Sequence, residues 1–261
     1  EIRETLPKDN PEYQSGLADT YRNLAILQEN NLNDFKSAET NYNKAIEIRE
    51  MLPKDNPEYQ SDLADAYVNL ANLQFGNLNN CESAETNYNK AIEIKETLPK
   101  DNPDYQNYLA SMYCGLAFLQ QDHLGDYNSA KSNIEKAIAI YEQLPKDNAT
   151  YQNDLAGLYN QLAYIYDKLS NYDKAIIVIN IAIDIASKLK EKDSKYMIWW
   201  LAYRHTLSEI KYNNGKDLDE VKNTLLEIQP LAQQCLKDNP DDEWTKQTND
   251  DIADLLSKIG N

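Results

Sequence analysis

Glycine and proline are scarce in this chain, 7 and 9 among 261 residues, and no run alternates apolar with polar β-branched side chains. Little room is left for a sheet. Histidine occurs only as His123 and His205, outside any HExxH pattern or Cys/His spacing suited to zinc. A Gly-rich phosphate loop and a nucleophile elbow are also missing, so no catalytic residue, metal or cofactor is expected and the chain does not read as an enzyme. The three cysteines, Cys81, Cys114 and Cys235, contain no CxxC pair and cannot supply a full disulfide framework. They read as small buried hydrophobes in a reducing, cytoplasmic compartment. No apolar stretch approaches the roughly 18 residues that a membrane span requires, so no membrane partner is expected. Positive charge is in deficit: 26 Lys and Arg stand against 43 Asp and Glu, a net charge of −17. That balance argues against nucleic acid, which needs Lys and Arg to dominate a face. It suits neutral or basic partners, and it equally serves solubility.

What is present is a phrase. Leu6-Pro7-Lys8-Asp9-Asn10-Pro11-Glu12-Tyr13-Gln14 returns nearly unchanged as Leu52–Gln60 and Leu98–Gln106, and in altered form as Leu144–Gln152. Pro7, Pro53, Pro99 and Pro145 stand 46 residues apart. Self-similarity at such a period signals a stacked-repeat solenoid, a surface for holding something rather than a pocket for chemistry. Glu1–Pro7 repeats the stretch that closes a helix at Glu47–Pro53. Residues 1–6 therefore read as the end of a preceding helix, with more repeats or another domain before them.

Residues 52–98 show what one repeat builds. Leu52-Pro53 stops a helix, because proline disfavours helical geometry in the residue before it and donates no hydrogen bond. Asn56 suits an N-cap, Pro57 the first helical position, and Glu58 the positive end of the helix dipole. Leu63, Tyr67, Leu70 and Leu73 then follow at helical spacing. A turn at Gly76-Asn77 and Asn79-Asn80 leads to a second helix carrying Ala84, Tyr88, Ala91, Ile92 and Ile94. Each repeat is a helical hairpin, and one hairpin cannot bury both of its faces, so neighbours must stack. The spacing predicts hairpins at about 10–53, 56–99, 102–145 and 148–190, and a degraded one at 194–236. A C-terminal capping helix is predicted over 240–259, started by Asn239-Pro240, with Ile252, Leu255 and Leu256 inward.

A Leu-Ala pair follows an aromatic by three residues at Tyr21/Leu24-Ala25, Tyr67/Leu70-Ala71, Tyr113/Leu116-Ala117 and Tyr159/Leu162-Ala163. The second helices carry Ala38/Tyr42/Ala45, Ala84/Tyr88/Ala91, Ala130/Ile134/Ala137 and Ala175/Ile179/Ala182. This resembles the tetratricopeptide repeat (TPR), in which small residues let helices approach while large ones fill the gaps between hairpins. The period departs from the family's, 46 against about 34. In its long helices the chain is similar to the repeats of the kinesin light chain group, with Ala-Glu second helices at Ala38-Glu39 and Ala84-Glu85. The resemblance implies an all-α fold, a right-handed α-α superhelical solenoid of TPR-like hairpins over residues 1–261.

It also implies where a partner would lie. In the family the first helices line a concave face that holds extended peptides. Transferred to this chain, the lining includes Arg22, Asn23, Asn69, Asn72, Phe118, Gln161, Tyr164 and Trp199. An Asn amide both donates and accepts, so Asn23 and Asn69 suit a peptide backbone of any sequence, or simply meet water. Phe118, Tyr164 and Trp199 offer aromatic anchors, whereas Trp200 falls in register with core leucines. A clamp for a partner's C-terminal carboxylate is disfavoured, because Ser111 and Gly115 stand where cations would be needed. The expected function is a non-catalytic scaffold that binds a protein or peptide. The alternatives are a regulatory or sensor module of a larger multidomain protein and a structural, self-associating repeat, and the oligomeric state stays open.

Overall fold

The computed structural model describes residues 7–215 and 217–260, so the helix end expected at 1–6 lies outside the described residues. Among them are eleven α-helices, a single 3-10 turn at Ser194–Tyr196, and no strand. The helices are α1 Pro11–Asn30, α2 Phe35–Glu50, α3 Pro57–Gly76, α4 Cys81–Glu96, α5 Pro103–Asp122 and α6 Tyr127–Tyr141. They continue as α7 Ala149–Lys168, α8 Tyr172–Lys192, α9 Met197–Asn213, α10 Leu218–Asp238 and α11 Glu243–Gly260. Two compact units divide within α6, one ending at Asn133 and the other starting at Ile134.

In the first unit the phrase acts as punctuation. Asn10, Asn56 and Asn102 each accept the backbone N–H two residues on at 2.9 Å, and a proline occupies the first position of each helix. Between the helices of a hairpin, Asn33, Asn79 and Gly125 adopt left-handed backbone with φ of 52°, 53° and 65°. Asp34, Asn80 and Asp126 then cap the second helices through the N–H of Ser37, Ser83 and Ser129. The Ser37 and Ser129 side chains, and then those backbone N–H groups, hold the Asp34 and Asp126 carboxyls below the ordinary carboxylate range. The alanine slots Ala25, Ala38, Ala45, Ala71, Ala84 and Ala91 are fully buried, and α1 to α4 each pack on the next helix, as α4 does on α5.

The stack is also tied by buried polar groups. Arg49, in the last turn of α2, is wholly buried and reaches Asp19 of α1 at 2.6 Å and Asp62 of α3 at 2.8 Å. Forty-six residues later Lys95 of α4 is equally buried. It donates to the Ser61 hydroxyl at 2.6 Å, pairs with Asp65 at 3.1 Å, and sits 4.9 Å from the ring centroid of Tyr108 on α5. A second series runs from Asn87 to Gln74 at 2.8 Å and from Gln74 to Glu39 at 3.0 Å; Asn133, Gln120 and Glu85 repeat it.

In the second unit Asn148 caps α7 through the N–H of Thr150 at 2.9 Å, which gives its side chain a structural task. Tyr141 donates to Asp154 at 3.3 Å, and Tyr159 to Glu142 at 2.7 Å. Burial raises the Asp154 carboxyl above its usual range, only partly opposed by the Tyr141 hydroxyl. Helix α8 packs on α7 and α9, and α10 on α9 and α11. Leu201, Leu225, Ile228 and Ala232 are fully buried among them. Trp200 is core, 9% exposed, with the Lys190 ammonium 4.2 Å from its ring centroid.

Two expectations need correction. The last helix starts at Glu243 rather than at Asn239-Pro240: the Asp242 N–H closes a turn onto the Asn239 carbonyl at 3.2 Å. Asp242 then caps, taking the Thr245 N–H at 2.9 Å and the Thr245 hydroxyl. Ile252 and Leu255 point inward as read, while Leu256 is only half-buried. The cysteines are half-buried rather than core residues, and none falls in an alanine slot.

Two predictions follow from these local geometries. The hairpin turn of α7 and α8 places Ser170 at φ 55°, where an L-residue with a Cβ and no Asn or Asp side chain is strained. Ser170→Gly should stabilise the protein by roughly 0.5–1 kcal/mol, read as a higher urea midpoint. Arg49→Met should cost about 3 kcal/mol, the low end for removing one partner of a buried pair, because Asp19 and Asp62 keep some water. Equilibrium urea unfolding measures both.

Candidate functional site

Residues of α1, α3 and α5, at positions shared between adjacent helices, line one side of the first unit and enclose a cleft of about 550 Å³. Arg22 and Ile26 come from α1, and Asp65, Val68, Asn69 and Asn72 from α3. Helix α5 supplies Tyr108, Ser111, Met112 and Gly115. The floor is Tyr88 of α4, 4% exposed, whose hydroxyl donates to Asn72 Oδ1. Burial pushes its phenol up to about 12, so it stays protonated and remains a donor. Tyr88 reaches the floor because Gly115 has no Cβ: one added there would lie 2.8 Å from the ring.

The charges of the cleft are unequal in availability. Asp65 is tied to Lys95 and through it to the Tyr108 ring. The Arg22 guanidinium is half-buried, and its Nε is buried without a hydrogen-bond partner. Around it stand an amide at Asn69, an amide at Asn72 with its oxygen already engaged, and the hydroxyl of Ser111, which donates to the Asn107 carbonyl at 3.0 Å. Such a surface offers mixed donors and acceptors over an apolar strip of Ile26, Val68 and Met112. Among the described residues no group of three or more His, Cys, Asp or Glu could hold a metal ion, and no helix is long and apolar enough to cross a membrane.

Of the residues singled out from the sequence, Arg22, Asn69 and Asn72 meet in this cleft. Asn23 is exposed on α1 outside its lining. Phe118 is 44% exposed and packs edge-on against Phe75 at 5.8 Å, and Phe75 packs edge-on against His123 at 4.6 Å, a separate aromatic cluster. In the second unit Gln161 is half-buried on α7, and Tyr164 is exposed with the Lys168 ammonium 4.9 Å from its ring centroid. Trp199 is half-buried and lies 5.6 Å from the ring of Trp244, which is 64% exposed.

Sequence reasoning missed Asp65, Tyr88, Tyr108 and Met112 as cleft residues. The signal was a substitution in register: Arg49 becomes Lys95 while Asp62, 46 residues before Tyr108, becomes an aromatic. A cation that exchanges a carboxylate for a ring marks a contact. The other signal was Gly115, alone among Asn69 and Gln161 at its register position, which makes room for a neighbour's ring.

The repeats match a known family. Residues 64–98, 110–144 and 156–189 each match the tetratricopeptide repeat model. The chain carries tetratricopeptide repeats. Each match starts at a fully buried first-helix alanine, Ala64, Ala110 or Ala156, and residues 99–109 and 145–155, from the linker proline through the opening turns of the first helix, fall between matches. Those residues account for most of the excess of this period over the family's. Comparison with curated proteins gives no match.

Solved structures agree on the fold. A putative kinesin light chain from Podosopora anserina with nearly identical TPR-like repeats is 17% identical, with a TM-score of 0.66 over 86% of this chain and 98% of that one. BtubC (BKLC) from P. vanneervenii is 19% identical, with a TM-score of 0.62 over 96% and 82%. The STAND protein PH0952 from Pyrococcus horikoshii, described as having a tetratricopeptide repeat sensor, is 17% identical with a TM-score of 0.64. It matches 98% of this chain, which spans 35% of its length. At these identities the likeness is one of fold.

The floor of the cleft gives a test. Gly115→Ala gains helix propensity of about 1 kcal/mol but drives a methyl into the Tyr88 ring, an overpacking that costs about 1–3 kcal/mol. A net loss of about 1 kcal/mol is expected in wild type, and a gain in a Tyr88→Leu background where the ring is gone. Thermal unfolding of the four variants completes the cycle.

Proposed function

We propose that these tetratricopeptide repeats form a non-catalytic protein-interaction scaffold, and that the cleft of the first unit holds an extended segment of a partner protein. The observation that carries this reading is the cleft itself. Adjacent first helices contribute overlapping register positions (Arg22 with Val68, Ile26 with Asn72, Asp65 with Ser111, Asn69 with Gly115), and polar groups alternate there with apolar ones as they do along an extended chain. Asn69 suits the peptide backbone, Arg22 a carbonyl or carboxylate, and Ile26, Val68 and Met112 the side chains between. The same reading assigns Gln161 and Tyr164 of α7 and Trp199 of α9 to partner contacts in the second unit. The protein's net charge of −17 favours a neutral or basic partner overall, with Arg22 as a local exception.

A second reading, a sensor module within a larger protein, is favoured by the STAND match, in which the likeness extends over nearly all of this chain and about a third of the other. Both readings use the cleft, and they differ in what binding does next.

Selection from a displayed library of random unstructured peptides, followed by fluorescence anisotropy on the selected sequence, tests the cleft. Asn69→Ala and Arg22→Ala should each weaken Kd about tenfold, the loss of one desolvated hydrogen bond. Phe118→Ala, on α5 but outside the cleft, should leave Kd unchanged. Equal affinity for wild type and both cleft variants would remove the assignment.

A further inference from the structure

Helix α9 alters a contact that the earlier repeats close from within. Asp62 of α3, Tyr108 of α5, Asp154 of α7 and Trp199 of α9 share one register position, each directly before Leu63, Leu109, Leu155 or Trp200. In the first three cases the preceding second helix supplies a partner. Arg49 meets Asp62 at 2.8 Å, Lys95 lies 4.9 Å from the Tyr108 ring centroid, and Tyr141 donates to Asp154 at 3.3 Å. The equivalent residue of α8, four after the slot alanine Ala182, is Ala186. Helix α9 thus presents an aromatic where α5 does, and α8 brings no cation to it.

Trp199 has a second ring beside it instead. Trp244 of α11 stands 5.6 Å away, tilted by 52°, and is 64% exposed, so one of its indole faces is open to water. Among the described residues no Lys or Arg lies over either ring, whereas Trp200 carries Lys190 at 4.2 Å and Arg204 at 5.2 Å. The setting of Trp244 is acidic: residues 241–251 hold five carboxylates, Asp241, Asp242, Glu243, Asp250 and Asp251, against one ammonium, Lys246. Asp242 is engaged as the helix cap, while Asp241 and Glu243 are exposed beside the indole.

We propose that Trp199 and Trp244 seat an arginine side chain from an extended segment of a partner protein, its guanidinium stacked on the open face of Trp244. This rests on the protein-interaction reading above and gives the partner of the second unit its chemistry. Tryptophan is the strongest cation–π ring, and a guanidinium is planar and weakly hydrated, so it stacks on an indole at little cost. The neighbouring carboxylates set the sign of the occupant: a neutral apolar side chain would use the ring and gain nothing from Asp241 and Glu243.

The test is an NMR titration of the isotope-labelled full chain with acetyl-Gly-Arg-Gly-Arg-Gly amide, followed on the Trp199 indole N–H. A second peptide carries citrulline in place of arginine, which keeps the shape and removes the charge. The arginine peptide should bind about fivefold more tightly than the citrulline one, the factor expected of an exposed cation–π contact. Trp244→Leu keeps apolar contact without the ring and, at so exposed a position, leaves the fold intact. It should weaken the arginine peptide about fivefold and bring it level with the citrulline peptide. Equal affinity of the two peptides for wild type would overturn the proposal and leave a neutral apolar anchor. An arginine preference that survives Trp244→Leu would overturn it too, since adsorption to the acidic surface alone would then account for binding. Asn69→Ala and Arg22→Ala report on the cleft of the first unit, so either assignment can fail while the other stands.

Discussion

The structure depends on one geometric shortage: a helical hairpin has two apolar faces and can bury only one of them internally. Each second helix is therefore shared, closing its own hairpin on one side and covering the next first helix on the other. A leucine pair in register shows what this sharing is worth. Leu70 and Leu73 of α3 and Leu116 and Leu119 of α5 are buried, where a second helix precedes them, and Leu24 and Leu27 of α1 are about half exposed. Alanines set the distance of approach, since those in the slots of both helices are fully buried and any larger side chain would push the helices apart. Local order in this protein is thus a property of neighbours, and the leucines carry energy only when the next helix is present.

Apolar contact alone would allow neighbouring hairpins to slide, and the polar groups oppose that. Arg49 is neutralised by carboxylates on both adjacent first helices, so it fits only where Asp19 and Asp62 arrive together. Desolvating a guanidinium is costly, and its contribution is better understood as fixing register than as adding net stability. The next repeat solves the same problem with different chemistry, placing Lys95 between Asp65 and the Tyr108 ring. In the second unit Tyr141 takes that register position and donates to Asp154. Two carboxylates flank Arg49, whereas Lys95 and Tyr141 each meet one. Compensation within a contact keeps the geometry constant while the residues change.

Much of the fold was legible because its signals are local. Asn10-Pro11, Asn56-Pro57 and Asn102-Pro103 are complete helix starts within two residues, and the 46-residue period assembles them into hairpins. The last helix was misjudged by the same logic. Asn239-Pro240 imitates a start, but the competing Asp242 both closes the preceding turn and caps, and Thr245 supplies two bonds to it. The cleft was only partly legible. Arg22, Asn69 and Asn72 follow from register on the first helices, whereas Tyr88 arrives from a second helix through the gap over Gly115. That gap depends on the absence of a side chain 27 residues away, which no periodicity of a single helix reveals. Phe118 and Trp199 each pack beside another aromatic, Phe75 and Trp244, a neighbour that the register of a single helix does not reveal.

The internal copies separate two kinds of position. Where successive repeats agree, the side chains are engaged with one another: Gln74 and Gln120 with Glu39 and Glu85, Asn87 and Asn133 with those glutamines, Tyr67 and Tyr113 with Glu50 and Glu96. Where they differ, as at Asn69 and Gly115 or Asp65 and Ser111, the residues line the cleft. Duplication of a repeat copies the stacking contacts intact, because each is satisfied by the adjacent copy. Cleft positions such as Asn69 and Ser111 are freer of that reciprocity, although Asp65 and Tyr108 also hold Lys95 and Asn72 accepts from Tyr88. A surface built this way can acquire specificity one hairpin at a time without renegotiating the stack. Gly115 marks the limit of that freedom, since the cleft there is floored by Tyr88 and the space its missing side chain leaves is part of the packing itself.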